Sequence, residues 1–347
     1  MIPYTRKTLP NGLTVVVNRD RASKLAAVNI LYRVGARNEN PARTGFAHLF
    51  EHLMFRGTRA VENFDLPVQM ASGDNNAFTN NDYTDFYITL PKDNLETALW
   101  LESDRMEGLD ITPAKLEAEK KVVIEEFRQR YLNQPYGDQT MLLRALAYKV
   151  HPYRWAAIGL ATDHIAGATL ADVESFYRAH YRPSNAILSI SADMEEERML
   201  ELAEKWFAPL ADHPSATAAI PQEPMQTQAR RQEVERDVPA STVTVAYHMC
   251  ARTKLDFYTA DLVSDLLSGG DSGRLYTHLV KERNLLSSVN AYITGDVDPG
   301  LVGFTGQLLP GVTPEAAEAA FREEIEALQT TVAPAYEIEK VKTKFEA

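Results

Sequence analysis

His48-Leu49-Phe50-Glu51-His52 stands inside the run Gly45-Phe46-Ala47-His48-Leu49-Phe50-Glu51-His52-Leu53-Met54-Phe55-Arg56-Gly57. The apolar spacing of that run predicts a helix near 45–55, with Thr44 as its cap and Gly57 just past its end. Phe46, Leu49, Phe50, Leu53 and Met54 give the helix enough apolar surface to be largely buried. Two histidines four apart then project from one face, close enough to share one metal ion. Glu51, three residues after His48, lies on nearly the same face and can take a proton from a water held there. Two imidazoles and a carboxylate on one buried face are costly unless something pairs with them, and a metal does so directly.

Two histidines do not complete such a site, because a catalytic zinc normally keeps three protein ligands. The best source of a third is the stretch Thr112 to Phe127, where Thr112 as cap and Pro113 in the first turn mark a helix start. At about 100° per residue, Leu116, Val123 and Phe127 define the buried stripe of that helix. Glu125 points away from the stripe, toward solvent. Glu126 lies at its edge, roughly 80° from its centre, with Glu119 seven residues earlier beside it. Glu126 is therefore the expected ligand, and Glu119 the carboxylate that orients a ligand histidine.

The chain around these motifs has 347 residues, enough for two domains with full cores, and its composition is that of an ordinary globular protein. The formal charge of −12 argues against a general nucleic-acid binder. No run of 18 apolar residues suggests insertion in a membrane. The opening Met1-Ile2-Pro3-Tyr4-Thr5-Arg6-Lys7 lacks the apolar core of a secretory leader. The expectation is a soluble protein, cytoplasmic or periplasmic. Cys250 is the one cysteine, which excludes an internal disulfide and reads as a small buried residue in a strand. The remaining histidines, at 151, 164, 180, 213, 248 and 278, have no ligand spacing.

An internal repeat organises the chain. Val28-Asn29-Ile30-Leu31-Tyr32-Arg33-Val34-Gly35-Ala36-Arg37 parallels Val243-Thr244-Val245-Ala246-Tyr247-His248-Met249-Cys250-Ala251-Arg252 at an offset of 215 residues. Each copy alternates like a strand and leads into an apolar helical stretch. The first copy begins with a hairpin turn at Thr8-Leu9-Pro10-Asn11-Gly12. Residues 1–210 are expected to form the metal-bearing domain and 211–226 an Ala/Pro/Ser/Thr/Gln-rich linker. Residues 227–347 then form a second, shorter and incomplete-looking domain. In that second copy Val263, Leu266 and Leu267 stand where the first has His48, Glu51 and His52, so it can hold no metal.

These stretches together resemble the pitrilysin, insulin-degrading enzyme and mitochondrial processing peptidase family of zinc peptidases, whose motif order H-x-x-E-H is the inverted, inverzincin form. The likeness runs through Leu9 to Leu13, Val34 to Arg37 and Gly45 to Thr58. It continues in Asn76-Ala77-Phe78-Thr79, Glu119 to Glu126, His151-Pro152-Tyr153 and Tyr181 to Ala186. It implies an α+β fold of two similar domains, each an antiparallel sheet covered by helices, facing one another across a chamber. It also implies one zinc ion on His48, His52 and Glu126, with Glu51 as general base and Glu119 in support. Asn76, Ala77 and Phe78 resemble the segment that holds an extended peptide beside a sheet edge. The implied activity is zinc-dependent endopeptidase action on peptides or unfolded segments. The alternative is a non-catalytic assembly subunit that keeps its metal site for structure. One departure bears on partners. After Ser268 to Leu275, active members place an arginine and, seven residues on, a tyrosine; here those positions read Val280 and Ser287. A homologous subunit supplying the arginine and tyrosine would complete the site as a heterodimer.

Overall fold

The computed structural model describes residues 2–213 and 218–346, so that residues 214–217 of the expected linker lie outside the described residues. The chain forms two compact units, Met1–Gln232 and Glu233–Ala347. Charged side chains tie part of the polar stretch after residue 210 to the first unit. Glu223 accepts hydrogen bonds from the backbone N–H groups of Lys149, Val150 and His151 at 2.8–2.9 Å. Arg230 donates to the carbonyls of Leu146 and Ala147. Residues that read as linker are thereby tied to the first unit.

In the first unit the expected hairpin forms, with β1 (Thr5–Thr8) antiparallel to β2 (Thr14–Arg19) and Thr8 opposite Thr14. With β3 (Leu25–Tyr32), β4 (Asp74–Thr79), β5 (Thr84–Pro91) and β6 (Ala186–Ala192) it makes a six-stranded sheet in the order β1-β2-β6-β3-β5-β4. One pairing departs from the antiparallel expectation: β2 and β6 are parallel, with Thr14 opposite Ile187. Strand β6 inserts between β2 and β3, which run in opposite directions, so it can be antiparallel to only one of them. Period-two alternation turns Ala26, Val28, Ile30 and Tyr32 of β3, and Ala186, Leu188 and Ile190 of β6, into the core.

The helices of this unit are α1 (Phe46–Leu53), α2 (Asp65–Met70), α3 (Leu95–Glu107), α4 (Pro113–Phe127), α5 (Gln139–Ala147), α6 (Thr162–Ala166), α7 (Leu170–His180) and α8 (Glu196–Phe207). Phe46, Leu49, Phe50 and Leu53 of α1 are all buried, each contributing roughly 1.5–3 kcal/mol of burial. The Phe50 ring stacks at 5.2 Å on Phe176 of α7 and at 5.1 Å on Tyr181 just beyond it. Thr112 caps α4 as expected, accepting from the Lys115 N–H at 3.2 Å.

The cap of α1 differs from expectation. Gly45, at φ +91°, is the N-cap, and a Cβ there would lie 2.6 Å from the Ile158 carbonyl oxygen. Thr44 faces away: its hydroxyl accepts from the Leu160 N–H and pairs with His164 Nδ1 at 2.8 Å. The donors at the start of α1 go instead to the buried Glu39 carboxylate. It accepts from the N–H groups of Gly45 and Ala47, each at 2.9 Å, and from Trp155 Nε1 at 3.1 Å. Burial pushes the Glu39 carboxyl up to about 8, against these donors, which favour its charged form. Glu39→Ala strands two buried N–H groups and is expected to destabilise the first unit by about 2–4 kcal/mol. Urea denaturation followed by tryptophan fluorescence checks this, because Trp100, Trp155 and Trp206 all lie in that unit. An unchanged midpoint would refute the capping role.

The second unit repeats the chain order of the first at its centre. β7 (Thr242–His248) is followed by α9 (Leu255–Ser268), β8 (Leu286–Ile293) and β9 (Leu301–Leu308), then α10 (Pro314–Thr330) and α11 (Ala335–Glu346). The sheet order β7-β9-β8 matches β3-β5-β4 element for element. Leu266 and Leu267 of α9 are buried and apolar where α1 carries Glu51 and His52.

Candidate metal centre

Helices α1 and α4 pack together and bring the distant motifs into one cluster. The His48 and His52 rings stand one turn apart, with centroids 4.8 Å from each other. Glu126 enters from α4, with Oε2 at 3.3 Å from His52 Nε2 and Oε1 at 3.7 Å from His48 Nε2. One ligand atom from each of the three lies within 4.8 Å of the others. Glu119, one side-chain ridge back on α4, places Oε2 at 3.3 Å from His52 Nδ1 and is only 1% exposed. The helix-face reading separates the two neighbouring glutamates: the Glu125 side chain is 54% exposed and that of Glu126 is 19% exposed.

The electrostatics divide the two histidines. Burial drives His48 down to about 4, which keeps it neutral and ready to donate an electron pair. Burial also opposes charge on His52, but its hydrogen bonds to Glu119 and Glu126 carry it up to about 9. Glu126 is held below the usual carboxylate range by His52. Glu119 is lowered as well, because His52 and Arg56 outweigh the effect of its burial. The proton on His52 Nε2, which faces Glu126, is the one a divalent cation would replace, while Nδ1 keeps its proton toward Glu119.

Glu51 projects beside the cluster. Burial raises its pKa, and a hydrogen bond from Thr79, the last residue of β4, opposes that rise. The base candidate is therefore held against the edge strand that carries Asn76, Ala77 and Phe78. Strand β4 pairs only with β5 in its sheet. The Ala77 N–H is turned to the Asn76 side-chain oxygen at 2.8 Å, and Phe78 is half-exposed, edge-on to Tyr83 at 5.9 Å.

Three contributors escape the sequence reading. Arg56 places Nη2 on Glu119 Oε1, and its position four residues after His52 is a signal that could have pointed to it. Thr79 has no comparable local signal, since its link to Glu51 depends on how β4 lies along α1. Arg130, four residues after Glu126, sets Nη1 at 3.1 Å from Glu126 Oε1.

The donor set fits zinc. Two imidazoles and one carboxylate suit that ion and leave a fourth position for water. His48 Nδ1 is buried without a hydrogen-bond partner, and its Nε2 stands too far from Glu126 for a hydrogen bond. Among the described residues this is the one group of three such side chains close enough to hold a metal ion.

Comparison with known proteins places the chain. The profile described as insulinase, peptidase family M16, matches residues 14–155, and that of the peptidase M16 inactive domain matches 167–345. The zinc protease PqqE of Helicobacter pylori is 32% identical over 341 residues, covering 96% of this chain and 77% of that protein. The probable mitochondrial-processing peptidase subunit beta of Arabidopsis thaliana is 25% identical, covering 87% of this chain and 59% of that one. A crystal structure of a protease from Helicobacter pylori superposes with a TM-score of 0.92 at 31% identity, covering all of this chain and 84% of the other. The two profile matches together span most of both units, and the fold matches that of the Helicobacter protease. The chain belongs to peptidase family M16.

Proposed function

We propose that the chain is a zinc-dependent endopeptidase acting on peptides or unfolded segments. The observation that carries this is the meeting of His48, His52 and Glu126 within one ligand sphere, with Glu51 on the same helix as the histidines and that helix packed against the edge strand β4. Those three side chains would hold the ion. When bound, zinc supplies Lewis acidity, which lowers the pKa of water and polarises a carbonyl oxygen. Glu51 accepts the proton of the attacking water and later delivers it to the leaving amine. Thr79 keeps that carboxylate aimed along β4. Asn76, Ala77 and Phe78 receive the substrate as an added strand, with backbone hydrogen bonds giving affinity and side-chain contacts giving selectivity. Glu119 orients His52 through Nδ1.

Cleavage of unstructured peptides, before and after chelation and after zinc is restored, tests the reading. Activity that survives complete removal of metal refutes it. Bound zinc with no cleavage, under any partner condition, favours the assembly-subunit alternative.

The positions expected to carry the arginine and tyrosine lie in the second unit. Val280 packs against the core of its own unit, and Ser287 donates to the Gln307 carbonyl at 3.3 Å. The nearby arginines are engaged: Arg274 pairs with Glu337 at 2.7 Å and Arg283 with Glu323 at 2.6 Å. A homologous subunit carrying the arginine and tyrosine therefore completes the active assembly as a heterodimer. The Arabidopsis relative, named as a subunit, is in keeping with that arrangement. The chain purified alone is expected to bind zinc yet cleave slowly. Full activity from a chain shown by light scattering to be monomeric or homodimeric would show that no second gene product is needed.

A further inference from the structure

We propose that Arg56 is a positioning residue for the metal centre: its guanidinium occupies Glu119 Oε1, leaves Oε2 to His52 Nδ1, and so sets the ring that presents Nε2 beside Glu126. The inference rests on reading His48, His52 and Glu126 as a zinc site, and it concerns what aligns that site.

The geometry is specific to the turn that follows α1. The Phe55 N–H bonds the His52 carbonyl at 3.2 Å and the Arg56 N–H bonds the Leu53 carbonyl at 3.0 Å. The chain thus stays coiled for one more turn after the helix. Arg56 remains four residues along the same face as His52, and both side chains converge on one carboxylate. That carboxylate is 1% exposed. Its Oε1 is buried and has no hydrogen-bond partner among the described residues apart from the Arg56 contact. Its Oε2 is the atom that faces His52.

A carboxylate rotates easily about its last bond, and either oxygen can accept from an imidazole. With a fixed cation on one oxygen the carboxylate has a single orientation, and the histidine inherits it. Without that cation a buried charge is left half-paired, and the carboxylate rotates to relieve it. That rotation loosens the His52 ring. A second effect opposes this one, since a positive side chain near the site repels a metal cation. The Arg56 side chain is 52% exposed and contacts the Glu119 oxygen that does not face His52, so solvent and the carboxylate screen that repulsion. Alignment is the larger effect.

Zinc affinity of the full chain, measured by competition with a chromophoric chelator, tests the proposal without reference to catalysis. Arg56→Met is expected to weaken zinc binding roughly tenfold, as loss of an outer partner of a metal ligand does. Arg56→Lys restores most of the affinity, because an ammonium still holds Oε1. In a Glu119→Gln background, Arg56→Met costs nothing further, since the residue through which Arg56 acts has been removed. Cobalt(II) substitution adds a signature: the visible band of Arg56→Met broadens or shifts from the wild-type envelope, and that of Arg56→Lys does not. Wild-type affinity in Arg56→Met, or tighter binding, overturns the proposal and leaves the zinc reading intact. An equal loss with and without Glu119 also overturns it, because Arg56 would then act by another route. A wild-type chain that takes up no zinc instead overturns the metal reading itself.

Discussion

Replacing Glu51 by Gln is expected to leave zinc content at the wild-type level and to lower peptide turnover about a thousandfold. The carboxylate stands beside the ligand cluster on the buried helix α1, so an amide of the same shape keeps the packing of α1 and removes only the proton acceptor. Substrate affinity should change little, because the residues expected to hold the peptide lie on β4. Measured kcat and KM together with metal analysis read these effects separately. Near wild-type turnover at full zinc occupancy would remove Glu51 from the role of base.

Glu126→Gln and Glu125→Gln form a matched pair with opposite expected outcomes. The first removes the carboxylate that approaches both imidazoles, at 3.3 Å and 3.7 Å, and should weaken zinc binding at least a hundredfold. The second alters a side chain whose only recorded ion pair is a loose one with Arg128 at 3.7 Å, and it should leave zinc untouched. Gel-filtered protein assayed for metal decides the matter. Equal loss in both variants, or loss confined to Glu125→Gln, would place the wrong face of α4 toward α1.

Helical periodicity in the sequence separates Glu126 from Glu125. Leu116, Val123 and Phe127 fix the inner face of α4, and the positions of Glu119, Glu125 and Glu126 follow by rotation. The same local rule places His48, Glu51 and His52 on α1. What escaped the sequence depends on contacts between segments far apart in the chain. Thr44 looked like the cap of α1, but Glu39 reaches the helix start through an irregular loop whose path no periodicity describes. The parallel β2–β6 pairing joins strands about 170 residues apart and follows from which slot the last strand enters. Composition marks a polar segment after residue 210 without saying whether it adheres to either unit. Glu223 and Arg230 make that segment adhere. Arg56 was passed over because its partner, Glu119, lies on a different helix.

Strand β4 has a consequence for the behaviour of the protein at high concentration. A sheet margin able to accept a peptide is equally able to accept the margin of a neighbouring molecule, which is how soluble proteins begin to aggregate. The sequence Asp74-Asn75-Asn76 at its start works against that outcome. These residues form strands poorly, and the first carries a charge. Asn75 is drawn aside to Asp65 at 3.2 Å, and Asn76 folds its own amide oxygen over the Ala77 N–H. An incoming chain must displace that internal contact before it can pair. Random collisions between copies are thereby discouraged, while a segment that also gains contacts at Phe78 and at the metal can still displace it. On the proposed function, the side chains that keep copies apart are thus the same few that would select an extended chain.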